Sequence, residues 1–129
     1  MRAAKTFAAA LIAVALLATA APAPADARIA YRKYVACGTS GRAEPSHLCS
    51  VKRASDGNVG AFFRSYRADV NYLVCVRFPN GGVPRCARRQ TAKKGTLYVN
   101  PITSNQIGLH AVTWFVKGRR VGRVLFRLR

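Results

Sequence analysis

Four cysteines constrain this chain more tightly than any other feature of its 129 residues. Cys37, Cys49, Cys75 and Cys86 form an even set, which in an exported chain is read as two disulfides. Three pairings are possible in principle, and the spacing favours nearest neighbours, Cys37 with Cys49 and Cys75 with Cys86. The second pair can be tested against strand geometry, because two strand-like arms around Pro79-Asn80-Gly81-Gly82 run between its cysteines. With a four-residue loop, Phe78 faces Val83, and counting outward sets Cys75 opposite Cys86. A two-residue Asn80-Gly81 loop gives the same facing pairs but makes Arg77 and Pro84 a hydrogen-bonded pair, which Pro84 does not satisfy because it has no N–H. The four-residue turn makes Cys75 and Cys86 a non-hydrogen-bonded pair, where side chains come closest. Each closed loop is expected to contribute on the order of 3 kcal/mol. Zinc, the competing use of four cysteines, wants two close pairs of reduced thiolates, whereas the gaps here are 11 and 10 residues.

The oxidising compartment is suggested by the N-terminus. A basic head with Arg2 and Lys5 precedes an uncharged apolar run over 7–21, and 22–27 end in small residues in an A-x-A pattern. This reads as a secretory signal peptide, residues 1–27, cleaved after Ala27. An uncleaved anchor is the alternative, but a run of 15 residues falls short of the roughly 20 that span a bilayer. No cysteine stands beside the cut to take a lipid and no apolar segment ends the chain, so the product is expected to be released. Residues 28–129 then form one domain, large enough for one core and small enough to gain from covalent staples.

The rest of that domain reads as strands. Segments 28–36, 59–66, 69–78, 96–102, 109–116 and 120–128 are rich in β-branched and aromatic residues. Lys94-Gly95, Asn100-Pro101, 105–108 and Lys117-Gly118 read as turns between them. In 69–78 the alternation puts Val70, Tyr72, Val74, Val76 and Phe78 on a core face and Asp69, Asn71, Leu73, Cys75 and Arg77 on the other. No stretch keeps a helical period for three turns. About seven short strands punctuated by Gly, Pro and Asn predict an all-β, antiparallel β-sandwich with two disulfides.

The run from Gly108 through His110, Val112, Trp114 and Gly118 to Phe126 and Leu128 resembles the closing hairpin of bacterial extracellular immunoglobulin-like or fibronectin-III-like modules. In these, a G-x-H/Y-x-V-x-W strand turns at a glycine and returns ending in Phe. The whole exported part also resembles small secreted bacterial proteins of unknown function. The resemblance implies an immunoglobulin-like sandwich and no particular activity. It departs from antibody domains, where a long-range cysteine pair brackets a buried Trp, because here Trp114 follows all four cysteines.

Residues for catalysis are sparse. The exported part holds His47, His110, Glu44, Asp56 and Asp69, and a hydrolase triad needs a nucleophile, a base and an orienting acid to converge. His47 reads as a loop residue and His110 as a packed or rim histidine. The carboxylates lie in unrelated segments beside basic residues, where ion pairing is the expected role. Asn80-Gly81-Gly82 is a hairpin turn and not a phosphate loop, since no helix N-terminus follows it. No enzyme, cofactor, metal site or small-molecule substrate is expected.

What remains is charge. The chain carries 22 Lys+Arg against 4 Asp+Glu, and removing Arg2, Lys5 and Asp26 with the leader leaves 20 against 3, a net of +17. This exceeds the roughly 2 to 8 that solubility alone asks of a small domain. On the last strand Arg119, Arg123, Arg127 and Arg129 share odd parity, with Gly122, Val124, Phe126 and Leu128 on the even, core-facing side. A bulged turn at Lys117-Gly118 would set Val112 and Trp114 on that core side, and a plain two-residue turn would swap them. Arg85, Arg88, Arg89, Lys93 and Lys94 make a second cluster, and further basic residues flank tyrosines at Arg32, Lys33, Arg64 and Arg67. The last-strand row (Arg119, Arg123, Arg127 and Arg129) and the second cluster (Arg85, Arg88, Arg89, Lys93 and Lys94) are the candidates for binding a polyanion: anionic lipid, teichoic acid, acidic polysaccharide, or nucleic acid without sequence specificity. The bland alternative is an Arg-rich composition inherited from a GC-rich genome. The expected function is a secreted, non-catalytic binding or structural module at extracellular polyanions or the cell envelope. A cationic antimicrobial or membrane-active protein is the runner-up, although the amphipathic helix that such proteins often use is missing.

Overall fold

A computed structural model describes residues 30–38 and 48–129. The expected leader over 1–27, Arg28, Glu44 and His47 lie outside them. Nine strands and one helical turn follow in order: β1 (Tyr31–Ala36), β2 (Leu48–Cys49), α1 (Val51–Ser55), β3 (Val59–Ser65), β4 (Val70–Arg77), β5 (Arg85–Cys86), β6 (Gln90–Ala92), β7 (Leu97–Ile102), β8 (Gly108–Val116) and β9 (Arg119–Leu128). One sheet has the order β1-β3-β7, and the other β2-β9-β8-β4-β5, with β6 also paired to β4. All pairings are antiparallel except β2 with β9, which is parallel.

The inner faces of the two sheets share one core. Val35, Ala61 and Phe63 of the smaller sheet pack with Tyr72, Val74, Val112, Trp114, Phe126 and Leu128 of the larger. The alternation expected for β4 holds, with Tyr72, Val74 and Val76 buried and Asn71 and Arg77 exposed. Phe63 stacks on Tyr72 at 4.3 Å across the core. Burial pushes the Tyr72 hydroxyl up to about 12, helped by Tyr98, so it stays a neutral donor beside Gln90 Oε1 and Asn100 Oδ1.

Both disulfides are present, Cys37–Cys49 and Cys75–Cys86. Cys75 pairs with Cys86 in the β4–β5 ladder as the hairpin register requires. The Ala87 N–H donates to the Val74 carbonyl at 2.9 Å, which makes the adjacent Cys75/Cys86 pair the non-hydrogen-bonded one.

Three expectations are corrected. The absence of a helical period over three turns still leaves room for one short turn: Ser50 caps α1 by accepting the Arg53 N–H, and five residues are too few to show a period. Asn100-Pro101 is no turn but part of β7, where Pro101 is accommodated because β7 is an edge strand. Among the described residues the strands number nine rather than about seven, since two-residue ladders such as β2 leave no alternation to read. Finally, the β8–β9 turn is the plain two-residue kind, with Lys117 and Gly118 both at positive φ between the paired Val116 and Arg119. The extra residue sits further along as a bulge, since Trp114 pairs with Gly122 while Phe115 pairs with Arg120. Val121 therefore has no partner across the ladder, and Val112 and Trp114 face inward with Phe126 and Leu128.

Candidate functional site

The outward face of the larger sheet can be read row by row from the ladders. Leu73, Phe115 and Arg120 form one row across β4, β8 and β9. Cys86, Cys75, Thr113 and Arg123 form the next, then Arg77, Ala111 and Leu125, then Leu109 and Arg127. Rows on one face stand about 7 Å apart and strands about 4.8 Å apart, so Arg77, Arg120, Arg123 and Arg127 ring a patch of small and apolar side chains. A groove of about 630 Å³ runs over this patch, lined by Arg77, Arg120 and Arg123 and floored by Ala111, Thr113, Phe115 and the Cys75–Cys86 bridge. Beside it a second hollow of about 440 Å³, sharing Cys75 and Phe115, adds Arg89 and Lys117.

The candidate residues from the sequence divide across this geometry. Arg123 and Arg127 lie on the outer face as expected, and Arg129 follows β9 with its backbone tied to Cys49 and Val51. Arg119 does not join them. The bulge at Val121 shifts parity, so Arg119 sits opposite inward-facing Val116 and Arg120 takes its place in the outward row. The second cluster is dispersed. Arg89 reaches the outer face, whereas Arg85 pairs with inward-facing Val76. Its guanidinium lies 5.3 Å from the Phe78 ring centroid, beside a hollow of about 260 Å³ between the sheets. Arg88 is exposed between β5 and β6. Lys93 and Lys94 sit at the β6–β7 turn with Asp69: the Lys94 N–H donates to Asp69 Oδ1 at 2.8 Å and Lys93 Nζ stands 3.5 Å from Oδ2. That backbone N–H, reinforced by Lys93, holds the Asp69 carboxyl below its usual range.

Arg77, Arg120 and Lys117 were not among the sequence candidates. The parity of β4 does set Arg77 beside Cys75, but only the β4–β8 register brings it toward the β9 arginines. From Val70 to Arg129 the sequence contains no Asp or Glu, and this stretch supplies every strand of the larger sheet except β2. Among the described residues, no carboxylate side chain lines either hollow on the outer face. On the smaller sheet, Arg32 pairs with Arg64 across β1 and β3, and Arg32 lies 4.9 Å from the Tyr34 ring.

A serine–histidine contact is also present. Ser104 Oγ stands 2.7 Å from His110 Nε2, and His110 Nδ1 stands 3.1 Å from the Gly108 carbonyl oxygen. Both side chains are buried, and His110 stacks on Phe126 with Phe78 at its edge. With Nδ1 donating to Gly108, Nε2 accepts from Ser104, whose oxygen accepts the Gln106 N–H. The pair pins the 103–107 loop to β8, and a carbonyl stands where a triad would place its acid.

No family model and no curated protein matches the chain. Among solved structures, an alkylpurine DNA glycosylase, AlkC, of Pseudomonas fluorescens bound to DNA containing an abasic site analogue aligns at 18% identity with a TM-score of 0.36. The alignment covers 55% of this chain and 25% of that one, a likeness too slight to carry an argument.

Proposed function

We propose that the chain is an exported, disulfide-stapled, immunoglobulin-like binding module that holds extracellular polyanions on the outer face of its larger sheet. The observation that carries this reading is the face on which Arg77, Arg89, Arg120, Arg123, Arg127 and Lys117 gather over an apolar floor with no carboxylate side chain among the described residues lining it. Arginine forks suit phosphate, sulfate and carboxylate groups, and a cationic face free of counter-charges concentrates its field outward. Export is supported by the leader-like residues 1–27 and by two disulfides, which fit an oxidising compartment. The immunoglobulin-like reading is supported by strand order. β1-β3-β7 corresponds to strands A-B-E of that fold, and β9-β8-β4-β5 to G-F-C-C′.

Retention on immobilised heparin across a sodium chloride series tests the function. The secreted protein is expected to bind at low salt and elute as salt rises, because the interaction releases counterions. Passage at low salt through heparin and through isolated cell wall would refute it. Mass measurement of the exported product tests the leader, with a chain starting at Arg28 expected.

A further inference from the structure

We propose that the anionic partner is a lipid bilayer, met by the end of the sandwich where the 78–84 and 103–107 loops come together. The proposal rests on the polyanion reading and specifies its target. The two loops are joined: the Asn80 N–H donates to Gln106 Oε1 at 3.3 Å, and Pro79 packs over Gly108 so closely that a Cβ there would stand 3.2 Å from it. Each loop holds one bare aliphatic side chain. Val83 is 89% exposed and Ile107 73% exposed, more than any other large apolar residue described. Behind them on the outer face, Leu109 and Leu125 are each 44% exposed, in the two rows that also hold Arg77 and Arg127.

Single exposed aliphatic residues are ordinary on a protein surface. Here the two most exposed occupy neighbouring loops of a fixed scaffold, beside arginines and, among the described residues, no carboxylate side chain. A soluble polyanion such as heparin engages the arginines and gains nothing from burying an aliphatic tip, whether Ile107 or Val83 at the rim of the arginine groove. An anionic bilayer uses both, since its headgroups take the guanidinium groups while the acyl boundary takes the aliphatic tips. The division of labour that an amphipathic helix achieves around its axis is met here by two loop tips and a flanking strand face. The long arginine side chains can lie along the membrane surface with their charged ends at the phosphates.

Sedimentation with vesicles of equimolar phosphatidylcholine and phosphatidylglycerol, run beside heparin elution, separates this proposal from the reading on which it rests. The Val83→Ser/Ile107→Ser variant is expected to lose about tenfold or more of its vesicle partitioning, the loss of two buried aliphatic groups. Ile107→Ser, which touches neither hollow of the arginine face, should leave heparin elution unchanged, and Val83→Trp should show a blue shift of emission on these vesicles. Unchanged partitioning of the double variant, or a Val83→Trp emission that stays at its value in water, would overturn the lipid proposal and leave the polyanion reading standing. Failure of the wild-type protein to bind either vesicles or heparin would remove both.

Discussion

At Gly60 a Cβ would stand 2.8 Å from both Phe62 Cε2 and Val99 Cγ2 and 3.2 Å from the Gly38 carbonyl oxygen. These neighbours are a buried ring, a strand side chain and backbone, so Gly60→Ala is expected to cost about 1 to 3 kcal/mol. Thermal unfolding would register it as a lowered midpoint, and an unchanged midpoint would contradict the packing described. His110 makes a different prediction. Burial holds its imidazole below the usual range, against the opposing pull of the Gly108 carbonyl. In the unfolded chain the ring takes a proton near its ordinary value of about 6.5. Its contribution is therefore complete above about pH 6.5 and is lost as pH falls from there through the lower folded value. The difference in melting temperature between wild type and His110→Gln should narrow as the pH drops below about 6.5, and a constant difference would contradict this. The two residues also differ in what the sequence discloses. A packed or rim histidine was legible from its place at the start of an apolar strand, and the structure shows the packed one. Its Ser104 partner was not, because the loop between them has no periodicity to read.

At the scale of elements, the β8–β9 hairpin shows where strand parity informs and where it fails. Alternation along 120–128 gives the core side of Phe126 and Leu128 without ambiguity, and the ladder agrees. Nearer the turn the same counting assigns Arg119 to the outer face, because parity carries no information about one extra residue. The Val121 bulge moves Arg119 off that face and Arg120 onto it. Arg120→Ala should therefore lower the salt at which the protein leaves heparin, while Arg119→Ala should leave it nearly unchanged. Equal shifts from the two variants would contradict the bulged register. The Cys75–Cys86 hairpin was the most legible element. Its turn and the missing N–H of Pro84 constrain the register locally, without help from a distant strand. The arrangement of β4 against β8 depends on long-range pairing, and so Arg77 went unnoticed as a site residue.

For the whole molecule, the chain's charge is sorted by sequence position before folding and by topology afterwards. Its last carboxylate side chain is Asp69, and the stretch beyond it builds five of the six strands of the larger sheet. Composition gave the excess of cations, but only the ladder orders give the face on which they gather. The smaller sheet is the natural control, since Arg32 lies on its outward side and Arg67 in the exposed turn after β3. The measurement that bears most directly on this account is the salt dependence of binding to random-sequence duplex DNA, a polyanion whose slope counts phosphate contacts. The account predicts that Arg77→Ala/Arg120→Ala/Arg123→Ala/Arg127→Ala makes the log–log slope shallower by roughly 3 to 4, while Arg32→Ala/Arg67→Ala changes it little. Equal flattening by the two variants, or a larger effect from the Arg32/Arg67 pair, would contradict it.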